Sequence, residues 1–249
     1  MITYLLIIIS GLIIGSFLNV VIHRMDELQS IFLTRSYCPK CKTQLKWYDL
    51  IPFISFVLLK TKCRYCGKAI SWQYPLVELV TALLFLLIYI KFGLTLYVCF
   101  LFLVSCFLIV IFVYDLQKML ISDEMLYPAI IISLIYLAFG SSYDFKMALL
   151  GALISAGFLG IIYLLGKGKW LGLGDVKLAI LIGLLASFSL VLVSLFSAFV
   201  LGSLVGVCLL VLKLKNLKSE IPFGPFLITG LYISIFFGQK IIDWYLGII

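Results

Sequence analysis

From Ile2 to Ile22 the chain runs without one charged side chain, a stretch matching the roughly 20 apolar residues that carry a helix across a hydrocarbon core. The pattern returns near Pro75 to Ile90, Thr95 to Tyr114, Leu126 to Phe139, Met147 to Leu165, Val176 to Ala186, Ser189 to Leu212 and Phe223 to Phe237. These windows predict an all-α integral membrane protein with about eight transmembrane helices. The segments from Leu126 and from Val176 are short, and the latter is expected to join its successor as a bent pair around Ser187 and Ser189. Composition removes the alternative of a water-soluble fold: 64% of the residues are hydrophobic and 12% charged, against roughly half and about a quarter in soluble domains. The first span lacks a basic leading region and a small-residue cleavage site, so it is expected to remain as a span.

Charge gives the orientation. With both termini outside, only Lys91, Lys146 and Lys240 of the 19 basic residues fall on the outer side. Because cytoplasmic loops carry the Lys/Arg excess, the long loop after the first span is expected to face the cytoplasm. The net charge of +8 then reflects topology and attraction to the anionic lipid of the membrane; it calls for no nucleic acid partner.

One large interruption breaks the apolar pattern, from His23 to Gln73. The expected organisation is a first transmembrane helix over 1–22, a cytoplasmic four-cysteine module over 23–73 and a transmembrane bundle over 74–249. No period of 20 to 50 residues recurs along the chain. The module reads Cys38-Pro-Lys-Cys41 and then Cys63-Arg-Tyr-Cys66. Two such knuckles bring four thiolates to one point, which suits a closed, structural zinc site. Lys40, Lys42, Lys62, Arg64 and Lys68 surround it and favour the thiolate form. Paired disulfides would need an oxidising compartment, against the cytoplasmic placement. Cys99, Cys106 and Cys208 lie in apolar spans and read as packing residues.

Ionisable groups in spans are expensive, so each is a functional candidate. Glu78 stands in the first turns of the second span, Asp115 ends the third and Asp175 opens the sixth. On the expected topology all of them emerge on the cytoplasmic side. Two carboxylates held together share a proton and can hydrolyse a peptide without a metal, one as base toward water and the other as acid toward the carbonyl. Each also has a plainer reading, Asp115 as a helix-end acid and Asp175 as a helix cap. The lone His23 reads as an interfacial anchor, and no serine sits in a Gly-x-Ser-x-Gly elbow.

Set side by side, the motifs resemble those of the type IV prepilin peptidases, within the Gly-x-Gly-Asp membrane aspartic proteases. They are Gly15-Ser-Phe-Leu-Asn19-Val-Val-Ile-His23-Arg24, the cysteine module, Ile70-Ser-Trp-Gln-Tyr-Pro75-Leu-Val-Glu78, Asp115-Leu116, Gly172-Leu-Gly174-Asp175-Val-Lys177-Leu and Ile221-Pro222-Phe-Gly224-Pro225-Phe. The resemblance implies that Asp115 and Asp175 are catalytic and that the substrate is the basic leader of a type IV pilin-like or competence pseudopilin precursor, cut after a glycine. It gives Gly172 and Gly174 a purpose, an unusual backbone and close approach of a substrate strand beside Asp175. With the cysteine module present, it also implies methylation of the new N-terminus by S-adenosylmethionine. Asn19, His23, Arg24, Glu78 and Lys177 become candidates for substrate or methyl-donor contacts; Arg24 and Glu78 read equally as an anchor and its ion partner. The chain has Ile121-Ser122-Asp123 where the family usually places a proline before the acid.

The competing class is a polytopic transporter or a non-enzymatic assembly factor of a secretion machine. Transporters commonly show repeated halves and helices interrupted at the midplane. Here the acids sit at span ends.

Overall fold

The computed structural model describes residues 1–25, 36–139, 145–216 and 219–247. Its α-helices are α1 (Ile2–His23), α2 (Ile54–Leu58), α3 (Gln73–Phe92), α4 (Leu96–Lys118), α5 (Asp123–Phe139), α6 (Phe145–Leu165), α7 (Leu173–Val211) and α8 (Gly224–Leu246), with a 3-10 turn at Trp47–Leu50. Six of these, α1, α3, α4, α6, α7 and α8, are long and apolar enough to cross a membrane. The fold is all-α, as the apolar windows predict.

The expected bend appears in α7. A straight helix of 39 residues would be about 58 Å long, nearly twice a hydrocarbon core of about 30 Å. Ser187 breaks it, with φ 59° and ψ 174° in the middle of otherwise helical backbone. The two short windows therefore resolve differently. The stretch from Val176 is the first half of a broken pair, and that from Leu126 lies within the 17-residue α5.

Contacts divide the chain into two compact units, Met1–Val110 and Ile111–Ile249. In the first, α1 packs along α3. Gly15 makes the approach close, since a Cβ there would lie 2.7 Å from the Glu78 Cα; small residues at such contacts let backbones meet where lipid offers no hydrophobic drive. Phe85 of α3 stacks on Phe102 of α4, ring centroids 4.2 Å apart.

In the second unit α7 is central, packed by α5, α6 and α8. Gly151, Ala152 and Ser155 of α6 meet Gly183 of α7 so closely that a Cβ on Gly183 would collide with the α6 backbone. The Ser155 hydroxyl reaches across to the Ala179 carbonyl at 2.7 Å. The small residues of α6 thus serve packing.

The two knuckles of the cysteine module are alike in backbone as well as in cysteine spacing. In the first knuckle, the Cys38 N–H donates to Thr43 O, Lys42 N–H to Cys38 O and Leu45 N–H to Ser36 O. In the second, Cys63 N–H donates to Lys68 O, Gly67 N–H to Cys63 O and Ile70 N–H to Thr61 O. Bridges Tyr37–Gln44 and Lys62–Ala69 close each in the same place. Lys42 and Gly67 take the same left-handed backbone, φ 59° and 67°. The two Cys-x-x-Cys knuckles read from the sequence thus share one backbone arrangement, held by the same hydrogen bonds.

Candidate functional site

Asp115 lies in the last turn of α4, buried, and its Oδ2 accepts the N–H of Gly224 at 3.1 Å. Gly224 begins α8 and Pro225 follows. Helix N-termini carry unpaired N–H groups and partial positive charge, so an acid is well placed there. Asp175 sits in the first turn of α7, also buried, and its Oδ2 accepts the Gly172 N–H at 3.1 Å. The Asp175 N–H donates back to Gly172 O at 3.1 Å. Gly172 is therefore the residue that caps the helix, and Asp175 closes the cap from within the first turn.

The two carboxylates are neighbours, the Asp115 charge reaching Asp175. Their segments converge on Ile121, in the connection between α4 and α5. A Cβ on Gly174 would stand 3.1 Å from the Ile121 Cβ, and one on Gly224 would stand 3.5 Å from its Cδ1. Gly172 is extended at φ −76°, and neither it nor Gly174 is among the positive-φ glycines of the described residues, which are Gly67, Gly93 and Gly168. What the two supply is room.

Lys177 points away from the aspartates' hydrogen bonds and grips Asp123, with Nζ 2.9 and 2.7 Å from its carboxylate oxygens. The same ammonium lies over the Tyr127 ring at 5.5 Å. This pair joins the first turn of α7 to the start of α5.

The other sequence candidates fall in the first unit. Asn19 is buried on α1, and its Nδ2 donates to Gly15 O at 3.3 Å and to Tyr74 O at 3.0 Å, while its Oδ1 has no partner among the described residues. Glu78 is buried on α3 and its Oε2 accepts the Phe53 N–H at 2.8 Å. Arg24 is buried with its guanidinium over the Tyr37 ring at 5.4 Å. His23, its neighbour, is exposed.

The sulfurs of Cys38, Cys41, Cys63 and Cys66 all lie within 4.8 Å of one another. A tetrahedral zinc with Zn–S near 2.3 Å needs sulfurs about 3.8 Å apart, so the cluster fits that ion with little adjustment. Hydrogen bonds from the Thr43 hydroxyl and N–H lower the Cys41 thiol to about 6, favouring the thiolate a metal requires.

Sequence reasoning passed over Asp49. Its side chain is 2% exposed and ion-paired to Arg64 Nε at 2.8 Å; it also accepts from the Tyr65 hydroxyl at 2.9 Å and the Lys46 N–H at 3.2 Å. Burial works to raise its pKa, but the bonds from Tyr65, Lys46 and Arg64 outweigh it and hold the carboxyl below its ordinary value. The same buried contact, with burial first and the Asp49 bond next, pushes Tyr65 up to about 12. An acid eight residues after Cys41 carries no motif. Gly224 and Ile121 were also assigned no role, although the proline after Gly224 marks a helix start.

Six helices long and apolar enough to cross a membrane, two neighbouring buried acids at helix ends and a four-cysteine module define a multi-pass membrane protein. Family comparison agrees and goes further. Residues 9–92 match the bacterial peptidase A24 N-terminal domain and residues 102–207 the type IV leader peptidase family. The prepilin leader peptidase/N-methyltransferase of Bacillus subtilis (strain 168) is 34% identical, covering 97% of this chain and 97% of that one. The protein of that name from Aeromonas salmonicida (strain A449) is 30% identical, over 98% of this chain and 94% of the other. That from Pseudomonas aeruginosa is 30% identical over 96% and 92%. No solved structure is significantly similar. The chain belongs to the type IV leader peptidase family and is a multi-pass inner-membrane peptidase.

Proposed function

We propose that the protein removes the basic leader from type IV prepilin-like or competence pseudopilin precursors at the cytoplasmic membrane face, with Asp115 and Asp175 as its acid–base pair. The observation that carries this reading is that each buried aspartate has one oxygen fixed by a backbone N–H, Asp115 by Gly224 and Asp175 by Gly172. With Oδ2 of each held in this way, Oδ1 is the oxygen this reading assigns to the chemistry. One aspartate, ionised, takes a proton from water as the oxygen adds to the scissile carbonyl carbon. The other, protonated, gives its proton to the carbonyl oxygen. Collapse of the tetrahedral intermediate breaks the C–N bond; the proton held by the first aspartate passes to the leaving nitrogen, and the hydroxyl proton returns to the second.

The cytoplasmic orientation rests on the distribution of basic residues, and the cysteine module is proposed to hold structural zinc through Cys38, Cys41, Cys63 and Cys66. Methylation of the new N-terminus is part of the same reading. S-adenosylmethionine would supply the methyl group, and Asn19, His23, Arg24 and Glu78 are the candidates to meet donor or substrate. The unpartnered Asn19 Oδ1 is the buried acceptor that supports this placement.

The test is leader cleavage of a co-expressed prepilin by wild type, Asp115→Asn and Asp175→Asn, each checked for membrane insertion. Cleavage by wild type alone supports the pair. Normal cleavage by either inserted variant overturns it.

A further inference from the structure

Between Leu50 and Leu59 the cysteine module carries Leu-Ile-Pro-Phe-Ile-Ser-Phe-Val-Leu-Leu, apolar but for Ser55. A run of about 10 apolar residues is too short to span and belongs either to a buried core or to a re-entrant or interfacial segment. Burial decides between them. Within α2 only Phe56 is buried, whereas Ile54, Val57 and Leu58 are 54%, 55% and 75% exposed. Their i, i+3, i+4 spacing puts these three on one helical face. Trp47 in the adjoining 3-10 turn and Trp72 at the head of α3 are exposed as well, at 77% and 66%.

Position identifies what covers this face. The Phe53 N–H, at the start of α2, donates to Glu78 of the α3 span, and the Phe56 ring packs edge-on to Trp72, centroids 5.1 Å apart. Both contacts tie α2 to the first turns of a membrane-crossing helix, level with the end of its apolar window. Lys60 and Lys62 follow directly, and Lys46 and Lys68 stand in the same module, all exposed. An apolar helical face flanked by tryptophans and rimmed by lysines matches an anionic bilayer surface in shape, polarity and charge.

We infer that α2, with Trp47 and Trp72, is an interfacial anchor that lays the cysteine module on the bilayer, Ile54, Val57 and Leu58 entering the headgroup–acyl boundary and Lys60 and Lys62 meeting anionic headgroups. The lipid is that of the membrane the chain already crosses, because the tether to α3 keeps the patch there. This anchoring is independent of the peptidase reading.

The experiment uses full-length protein in vesicles of phosphatidylethanolamine and phosphatidylglycerol. One form has Trp47, Trp170 and Trp244 replaced by Phe, leaving Trp72 as the native probe. A second has all four tryptophans replaced by Phe and Leu58→Trp added; a third has Lys40→Trp instead, at the tip of the first knuckle. Lipid brominated near the headgroup should quench Trp72 and the Leu58→Trp probe at least about twofold more than the Lys40→Trp probe, with acrylamide giving the reverse order. If acrylamide reaches both α2-side probes as freely as the Lys40→Trp probe, the patch faces water and the inference is overturned. Protection from both quenchers also overturns it, since protein, a second copy or a partner, would then cover the face. Should Leu58→Trp fail to fold, Trp72 alone decides, being a native side chain.

Discussion

Asp115 Oδ2 lies 3.1 Å from the backbone nitrogen of Gly224, and a methyl group on that glycine would stand 2.5 Å from the same oxygen. The glycine thus both holds the carboxylate and leaves it space. Gly224→Ala should push the carboxylate off its N–H and lower leader cleavage by about 100-fold, the scale of a 1 Å misplacement of a reacting group. Membrane insertion and the zinc content of the module should not change. An inserted Gly224→Ala protein that cleaves at the wild-type rate would show that this contact does not position Asp115.

Ile121 gives a complementary prediction on the other aspartate. A Cβ on Gly174 would stand 3.1 Å from the Ile121 Cβ, tight enough that the connection must yield by a few tenths of an ångström. Gly174→Ala should slow cleavage, and Ile121→Gly combined with it should recover part of the loss, because it removes the atoms the new methyl meets. Two losses that simply add would place the effect of Gly174 elsewhere.

How much of this was legible beforehand follows from what each feature is made of. The spans were readable because lipid demands long apolar runs, and even the break in α7 showed as a pair of serines, Ser187 and Ser189, between two windows. Asp115 and Asp175 stood out as acids at the edges of such runs, and the paired cysteine spacing announced its cluster. Gly224 did not stand out, because the N–H it offers belongs to every residue except proline. The cysteine spacing marked two knuckles but not how alike they are: Ser36–Leu45 and Thr61–Ile70 share their backbone bonds and few side chains beyond the cysteines. The left-handed position is glycine in one knuckle and Lys42 in the other, so no residue pattern could mark it.

Lys177 belongs to the same motif as Asp175, yet the structure spends it on Asp123. The pair is partly open to solvent, with side chains 28% and 49% exposed, and exposed ion pairs contribute little. Lys177→Met and Asp123→Asn should therefore each alter cleavage only a few-fold, and the double variant should be no worse than the weaker single one. A loss from Lys177→Met far beyond that from Asp123→Asn would instead assign the ammonium a direct substrate contact, measurable as a change in KM.

Metal analysis of purified, reduced protein should give about one zinc per chain, the stoichiometry of a closed four-cysteine site. Cys38→Ser and Cys63→Ser remove one ligand from each knuckle and should lose the metal alike, since both knuckles meet at one cluster. Full zinc retention in either variant would refute the four-thiolate assignment.

Asp49 is the module's main polar joint, tying the 3-10 turn to Arg64 and Tyr65 of the second knuckle. Asp49→Asn keeps the size but loses the charge, and bonds to a charged group contribute about 1.5–3 kcal/mol; zinc should therefore leave the variant faster when a chelator is added. The pH dependence has a definite sign. Because the folded carboxyl is held below its ordinary value of 3.8, its contribution is complete above that value and is lost only as pH falls through the lower, folded one. The difference in chelator-driven zinc loss between wild type and Asp49→Asn should thus stay constant from pH 8 down to about pH 5, even as both lose zinc more readily when thiolates protonate. A difference that shrinks across that range would mean Asp49 is protonating there, and that the bonds from Arg64, Tyr65 and Lys46 do not hold its charge.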